Sequence, residues 1–471
     1  MEHRKLVGVT VFPEYIQSEG VDAVLDRLVD VAGANAVTTS PYVMAKAAEG
    51  GGEREPPDDA GQGMTRLLDR PLWGARELRV ETAPSFEPSL ELYAGLRYQP
   101  PPATDLTQRE GGKIGAFVRA AKARGLRVYL QIQAAYPPGY RAQFGEPAEE
   151  DAPRLPNGRL CPQRVDRNGS LASPEIRGYG EALVRDVVAH YPEIDGLRVD
   201  WPEYPPYTFE SLFFDFSDHA MLAAKRWQFD TKLMRQDAKR LYDFLHGQLD
   251  SERLAQPGSL AESLDEYPGV RELLRFKAAL VRELLSGFRK AINAVAGKSV
   301  ELVPNAFPPP WNIATGMDYS QLTDIVEAVS VKLYTMHWPM IVGAYTRHLR
   351  EFNPGVSDSE LAAVVVRVLQ LDDPDNDHSL AESTTYPAPD VSHPVGRKAQ
   401  RAKIRSAQAS AGQLPVYALA HSYGPPDDFA QRFAVAHAAS PHGVWVNRYG
   451  YLSDNKLSLM GDIVNEGRTS R

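Results

Sequence analysis

The feature that most constrains this chain is a regular alternation of short apolar runs with longer stretches of helical period. Eight runs rich in Val, Leu and Ile occur at residues 6–12, 35–39, 127–133, 196–201, 299–305, 328–334, 414–420 and 443–447. This alternation is typical of a parallel sheet whose strands are connected and covered by helices. Eight such units predict one (β/α)8 barrel, a TIM barrel, of the α/β class. A doubly wound sheet has a similar order, but its Gly-rich phosphate turn is absent, because Phe12-Pro-Glu-Tyr15 follows the first strand.

The length beyond a minimal barrel lies in three connections, at about 43–110, 134–172 and 202–268. The first two are rich in Gly and Pro, and the third contains further helical segments. All three follow the carboxyl ends of predicted strands, and barrel active sites lie at that face. We therefore expect residues 1–471 to form a single catalytic barrel whose insertions build the rim of the active site.

Composition excludes several classes of function. The net charge of −9 disfavours a nucleic acid as partner, because phosphate binding requires a concentrated basic face. The single cysteine excludes an internal disulfide framework and a zinc site built from cysteines. There is no run of about 18 apolar residues to cross a membrane and no apolar leader before the first strand, so we expect a cytoplasmic protein. The sequence predicts no cofactor and leaves open a homo-oligomer.

Polar and aromatic residues follow the predicted strands, where a barrel carries its chemistry. The candidate substrate-binding residues are Glu14, Tyr42, Gln133, Arg198, Trp201, Asn305, Lys332, Tyr334, His337, Trp338, His421 and Asn447. Aromatic faces stack on sugar rings, while amides and charged groups bind hydroxyls. This lining therefore predicts a small-molecule carbohydrate as the substrate.

Asp200 and Glu203 are the candidate catalytic residues, at the end of the fourth strand. Arg198 and Asp200 lie two residues apart and share one face of that strand, so the guanidinium is expected to keep the carboxylate ionised. An ionised carboxylate suits a glycosidic nucleophile. Glu203 stands beside Trp201, and a less polar setting would raise its pKa, as an acid catalyst requires.

The segment Ile194-Asp-Gly-Leu-Arg-Val-Asp200 resembles the fourth-strand motif of the alpha-amylase superfamily, and also that of glycoside hydrolase barrels related to alpha-L-fucosidases. Three segments resemble the layout of the second group: Tyr98-Gln-Pro100, residues 123–128, and Val165-Asp-Arg-Asn-Gly169 followed by residues 173–177. The resemblance covers roughly residues 5 to 230. It implies a retaining glycosidase with Asp200 as nucleophile.

The chain departs from the amylase pattern at two places. Its fifth strand ends in Pro304-Asn305-Ala306 without the usual acid, and its seventh gives His421-Ser-Tyr423 in place of a His-Asp pair. The acid therefore stays open, with Glu203 first and Glu14 second, and Asp427 or Asp428 further candidates. Two other functions remain: a metal-dependent sugar isomerase or hydrolase using Glu14, Asp200, His337 and His421, and a carbohydrate-binding barrel without catalysis.

Overall fold

The computed structural model describes residues 5–57, 66–141, 146–161, 164, 166–255, 265–297, 299–373 and 378–469. Eight parallel strands close into a barrel: β1 (Leu6–Thr10), β2 (Ala36–Thr39), β6 (Arg127–Gln133), β7 (Gly196–Asp200), β8 (Glu301–Ala306), β9 (Val329–Leu333), β10 (Val416–His421) and β11 (Gly443–Asn447). The barrel closes where β1 pairs with β11, with Leu6 opposite Gly443. The predicted (β/α)8 barrel is therefore confirmed, and each predicted strand lies within two residues of an observed one at either end.

The remaining strands form a separate three-stranded antiparallel sheet within the first predicted insertion. These are β3 (Tyr42–Lys46), β4 (Glu53–Glu55) and β5 (Leu78–Pro84), in the order β3-β5-β4. Each of the three predicted insertions contains some residues that lie outside the described ranges. Val165, which belongs to the Val165–Gly169 motif, also lies outside them.

Helices connect and cover the strands. They are α1 (Pro13–Glu19), α2 (Val21–Asp26), α3 (Asp105–Glu110), α4 (Gly112–Ala123), α5 (Pro174–His190), α6 (Asp218–Arg226), α7 (Thr231–Leu245), α8 (Ser251–Ala255), α9 (Pro268–Ala296), α10 (Trp311–Thr315), α11 (His337–Phe352), α12 (Asp358–Val368), α13 (Leu380–Ser383), α14 (Arg397–Ala411), α15 (Pro426–Ala439) and α16 (Asp454–Thr469). A π-helical turn, Arg27–Val31, continues α2. Local signals fix the ends: Ser173 accepts hydrogen bonds from the first turn of α5, and Pro174 stands at its first position. None of the described helices is both long enough and apolar enough to span a lipid bilayer.

The barrel interior is filled by one residue in two along each strand, because successive side chains of a strand point to opposite faces. At the lower levels these residues are apolar or aromatic, among them Tyr129, Tyr417, Leu419 and Trp445. A Cβ on Gly8 would come within 2.3 Å of the Trp445 ring, so only glycine leaves room for that indole. The same alternation brings polar side chains to the carboxyl ends of the strands, which we call the barrel mouth.

Candidate active site

Asp200, the last residue of β7, forms an ion pair with Lys332 of β9 across the barrel mouth. The Lys332 Nζ lies 2.8 Å from Asp200 Oδ1, and the Trp201 backbone N–H also donates to Oδ1, at 3.1 Å. The Lys332 side chain is only 1% exposed, whereas that of Asp200 is 17% exposed. β7 and β9 are the fourth and sixth barrel strands, and alternate strands contribute side chains to the same layer of a barrel. Lys332 can therefore reach a carboxylate two strands away.

The cation paired with Asp200 is thus not the one expected. Arg198 lies one layer deeper, wholly buried, where its Nη2 donates to Asn305 Oδ1 at 2.8 Å and its guanidinium stacks 4.2 Å from the Trp445 ring centroid. Burial lowers the pKa of Arg198 to about 10. Asn305 in turn donates to Gln131 Oε1 at 3.1 Å. Arg198 and Asn305 therefore form a polar layer beneath Asp200.

Glu203 lies behind the Asp200–Lys332 pair, with no exposed surface. Its Oε1 accepts from the Phe307 backbone N–H at 2.9 Å, and its Oε2 accepts from the Thr315 hydroxyl. Burial raises the pKa of Glu203 to about 7; Lys332 and the two hydrogen bonds oppose this, and Asp200 adds to it. We call Asp200, Glu203 and Lys332 the Asp200 group: one cation is shared by two carboxyl groups in different surroundings.

Aromatic rings surround this group. Lys332 Nζ lies 4.6 Å from the Phe307 ring centroid and 5.9 Å from that of Trp201. Tyr207 packs edge-on against both rings, at 5.3 and 6.0 Å, and its hydroxyl lies 3.3 Å from His337 Nδ1. Trp201 is partly exposed and takes a positive φ of 51°, which turns the chain sharply after β7.

A second line of polar and aromatic residues continues around the mouth. Tyr334 follows β9 and lies 5.4 Å from the His337 ring and 5.0 Å from the His421 ring. Asn447, the last residue of β11, donates to the Tyr334 hydroxyl at 2.9 Å. Tyr334 is partly exposed, so it and Trp201 are the two rings here that offer accessible surface.

Gln133 and Trp338 stand apart from these contacts. Gln133 ends β6 opposite Asp200 in the strand register, and its Oε1 is buried without a hydrogen-bond partner in the described part of the chain. Trp338 is buried, and its ring packs against Trp311, 6.1 Å away, which ties α11 to α10. Gln133 therefore presents an unused acceptor, while Trp338 makes a packing contact between helices.

A second set of charges lies after β1, β6 and β11. Glu55 of β4 forms ion pairs with Arg141 and, at 3.0 Å, with Arg448. Glu14 lies 3.8 Å from Arg141 and accepts from the Tyr42 hydroxyl at 3.1 Å. We call Glu14, Glu55, Arg141 and Arg448 the Glu55 cluster, and all four are buried. Both guanidinium groups lie near the Phe12 ring, at 5.5 and 5.1 Å from its centroid.

The two carboxyl groups of the Glu55 cluster differ in their pKa. Burial acts to raise the pKa of Glu55, but Arg141 and Arg448 together outweigh it and lower that pKa. Burial raises the pKa of Glu14 to about 6, with Glu55 adding to the rise and the two arginines opposing it. The cluster therefore stabilises the charge of Glu55 more than that of Glu14.

The four residues named for the alternative, metal-dependent function do not form a group of metal ligands in the described part of the chain. Among the described residues, a group of three potential ligands forms elsewhere, from Glu210, His246 and His348. Their carboxylate and imidazole ligand atoms all lie within 4.8 Å of one another. This group includes none of Glu14, Asp200, His337 and His421. The reason is that the carboxylates face cations, Arg141 for Glu14 and Lys332 for Asp200, while the imidazoles pack among aromatic rings.

Comparison with known proteins bears on the fold. No protein-family model matches this chain, and a search of curated protein sequences finds no match. Among solved structures, the chain is similar to a beta-galactosidase from the psychrophilic Marinomonas ef1, with a TM-score of 0.53 and 10% identity over 99% of this chain and 60% of that one. It also matches the catalytic domain of beta-amylase from Paenibacillus polymyxa, with a TM-score of 0.46 and 12% identity over 96% and 94% of the two chains.

What the beta-galactosidase shares with the chain is the barrel fold. The TM-score above 0.5 to the beta-galactosidase agrees with the closed eight-stranded topology. The chain spans 60% of the length of that protein, so its activity does not transfer directly.

Several residues that contact the predicted site were not predicted from the sequence. Phe307, Thr315 and Tyr207 enclose Lys332 and Glu203, and Glu55 and Arg141 surround Glu14. Phe307 lies just two residues after Asn305, so the strand-end rule could have found it. Glu55, Arg141 and Thr315 stand in loops or short elements whose direction no periodicity gives.

Proposed function

We propose that this protein is a glycoside hydrolase in which Asp200 and Glu203 are the two catalytic carboxyl groups. The observation that carries the proposal is their contrast at one strand end: Asp200 is partly exposed and paired with Lys332, while Glu203 is buried and has a pKa near 7. Pairs of carboxyl groups whose surroundings separate their pKa values are typical of acid–base sites in glycosidases.

Asp200 has the features of a nucleophile. Its two contacts, from Lys332 and the Trp201 N–H, both involve Oδ1. In the described part of the chain, Oδ2 has no hydrogen-bond partner, which leaves it as the oxygen that attacks the anomeric carbon. The ion pair with Lys332 holds the orientation of the carboxylate.

Glu203 supplies the proton. Thr315 Oγ1 lies within hydrogen-bond distance of both Glu203 and the Asn312 carbonyl, the latter at 2.9 Å. When Glu203 is protonated, the hydroxyl can donate to Asn312 and accept from Glu203, so both protonation states are hydrogen-bonded. As Asp200 Oδ2 bonds to the anomeric carbon, the glycosidic C–O bond breaks and the leaving oxygen takes the proton of Glu203, whose carboxyl group turns from Thr315 toward the substrate. Water then attacks the anomeric carbon, gives its hydroxyl to the sugar and its proton to Glu203, and releases the Asp200 carboxylate.

The surroundings support a sugar as the substrate. Trp201 and Tyr334 offer partly exposed rings for stacking, and Asn447 and Gln133 offer amides for hydroxyl groups. The solved structures that resemble the chain include proteins described as a beta-galactosidase and a beta-amylase. We further propose that the chain acts as one catalytic barrel and that it retains the anomeric configuration.

The test is a screen of chromogenic aryl glycosides, followed by NMR of the first-formed anomer of the best substrate. We expect retention, and we expect Asp200→Asn to lower kcat at least about 1000-fold. Asp195→Asn is the matched control, because Asp195 lies at the opposite end of the same strand, paired with Lys122. It should keep wild-type activity. A fully active Asp200→Asn variant would exclude this site.

A second comparison identifies the acid. Glu203→Gln should lose activity on substrates with poor leaving groups and keep more of it on those with good ones, since the latter need no proton. Glu14→Gln should not show this difference. The reverse result would make Glu14 the acid. Sugar binding measured by calorimetry, without turnover of any substrate, would indicate a binding barrel instead.

A further inference from the structure

Three side chains from separate segments meet on the outer side of the third insertion. Glu210 lies in a 3-10 turn, Phe209–Phe213, after β7; His246 follows the last residue of α7; and His348 lies in α11. Their ligand atoms all lie within 4.8 Å of one another, and each residue is half-buried. We propose that Glu210, His246 and His348 bind a divalent transition-metal ion, with zinc as the best match to two imidazoles and one carboxylate.

The two imidazoles are oriented as metal ligands. His246 Nδ1 lies 2.7 Å from the Tyr242 carbonyl oxygen. A carbonyl only accepts, so Nδ1 carries the hydrogen and the lone pair of His246 is on Nε2. That atom lies 2.7 Å from His348 Nε2. Metal-binding histidines commonly hold their second nitrogen on a backbone carbonyl in this way.

Burial and aromatic neighbours also fix the two rings in place. Burial lowers the pKa of His246 and of His348, and the mutual repulsion of the two rings lowers that of His348 further. His246 stacks on Tyr242 at 3.8 Å, while Phe209 and Phe352 pack against His348. The rings therefore cannot turn freely away from each other.

Glu210 is held by two donors outside the group of three. The Tyr242 hydroxyl donates to Oε1 at 2.5 Å, and the Cys161 thiol donates to Oε2 at 3.4 Å. Such outer contacts orient a ligating carboxylate. Tyr242 thus contacts two of the proposed ligands, one through its hydroxyl and one through its carbonyl.

The two imidazoles need little movement to admit an ion between them. Zinc–nitrogen bonds of about 2.0–2.1 Å in a tetrahedral site place two ligand nitrogens about 3.3 Å apart. The two Nε2 atoms need to separate by about 0.6 Å from their present distance. Three protein ligands leave a fourth position for water.

The place of the site in the fold indicates a structural role. His348 lies eleven residues after His337 on α11, about 16 Å along the helix. Between them, the Tyr345 hydroxyl donates to the Pro206 carbonyl at 2.5 Å, and Tyr207 contacts His337. A metal here would fasten the outer end of the contact between α11 and the segment after β7, whose inner end borders the Asp200 group.

The test uses the full chain without an affinity tag. Competition with a chromophoric zinc chelator should show one zinc bound per chain, and elemental analysis should give the same ratio. Glu210→Gln, His246→Gln and His348→Gln should each weaken binding at least about 10-fold. His442→Gln, which changes an exposed histidine outside the cluster, should bind as the wild type does. No binding by the wild type, or equal binding by all variants, would overturn the proposal.

Two further measurements protect the test against variants that fold poorly. Cobalt added to the wild type should give the intense visible absorption of a tetrahedral ion, and Cys161→Ser should leave that spectrum unchanged, because the thiol is not a ligand in the proposal. Zinc should raise the Tm of the wild type by about 3 °C and leave that of His348→Gln unchanged. An absent cobalt spectrum would contradict the site. None of these measurements depends on glycosidase activity.

Discussion

The barrel mouth contains two buried charge systems that are built differently. In the Asp200 group, one cation serves two carboxyl groups, and Asp200 keeps some exposed surface. In the Glu55 cluster, two carboxyl groups meet two guanidinium groups, and all four are buried. In the Asp200 group, Glu203 can be protonated near neutral pH, and Asp200 is accessible to solvent. In the Glu55 cluster, two carboxyl groups are balanced by two guanidinium groups inside the protein.

Under the proposed function, this difference separates the catalytic carboxyl groups from a structural connection. A carboxylate that is fully paired with buried arginines cannot readily change its partners, whereas Asp200 uses a single oxygen for its contacts. The Glu55 cluster joins the β4 strand of the rim sheet to loops after β6 and β11. Changes in this cluster should therefore affect stability, and changes in the Asp200 group should affect turnover.

The largest effect on stability is expected from Glu55→Gln. It leaves Arg141 and Arg448 without their shared carboxylate, and breaking a buried ion pair costs about 3–5 kcal/mol. Denaturant unfolding would measure the loss. Glu53→Gln, on the same strand but exposed, should change stability by no more than about 0.5 kcal/mol. Equal stability of the two variants would remove the distinction between the regions.

Lys332→Met should reduce kcat/KM about 100-fold, equal to about 2.7 kcal/mol, because Asp200 loses the cation that holds it. Lys332 also lowers the pKa of Glu203, so its removal should move the alkaline limb of the pH profile upward by about one pH unit. Lys122→Met is the control, since its ion pair with Asp195 lies at the other end of β7. If the alkaline limb of the pH profile does not move in Lys332→Met, Glu203 is not the acid that titrates there.

Glu203→Gln should change how stability depends on pH. The folded pKa of Glu203 is about 7 and its ordinary value is 4.5, so folding favours the protonated form. The wild type should therefore lose about 2.5 kcal/mol relative to the variant as pH rises from about 4.5 to 7. A glutamine can keep both hydrogen bonds, to the Phe307 N–H and to Thr315. Unfolding curves at pH 5 and pH 8 would measure the difference, and parallel stabilities would contradict the raised pKa.

The smallest effect is expected from Tyr42→Phe, which removes the hydroxyl bonded to Glu14 and should cost about 1 kcal/mol. Tyr140→Phe is a matched control, because the buried Tyr140 hydroxyl has no hydrogen-bond partner in the described part of the chain. That variant should be neutral or slightly more stable in thermal unfolding. If Tyr140→Phe proves the more harmful of the two, Tyr42 does not support Glu14.

The barrel was predictable because each strand carries its own signal. The runs at 127–133 and 443–447 are apolar, short and bounded by glycine or polar residues, and they coincide with β6 and β11. The rule that a barrel carries its chemistry at the carboxyl ends of its strands also predicts Asp200, Lys332 and Asn447 together.

Partners of these side chains were less predictable. The strand rule places Arg198 and Asp200 on one face, yet it cannot say that a lysine two strands away is the closer cation. That outcome depends on the layer in which alternate strands meet and on the length of the Lys332 side chain. Glu55 and Arg141 lie in connections, where contacts depend on the whole fold.

The contact between Glu55 and Arg448 joins residues 393 positions apart in the chain. During synthesis, Glu14 and Glu55 emerge long before Arg448, so this early pair of acids lacks one of its two arginines until the 393rd residue after Glu55 has been added. The rim sheet can therefore reach its final stability only after the last strand has joined the barrel, and losing that strand would also loosen the rim, hundreds of residues away.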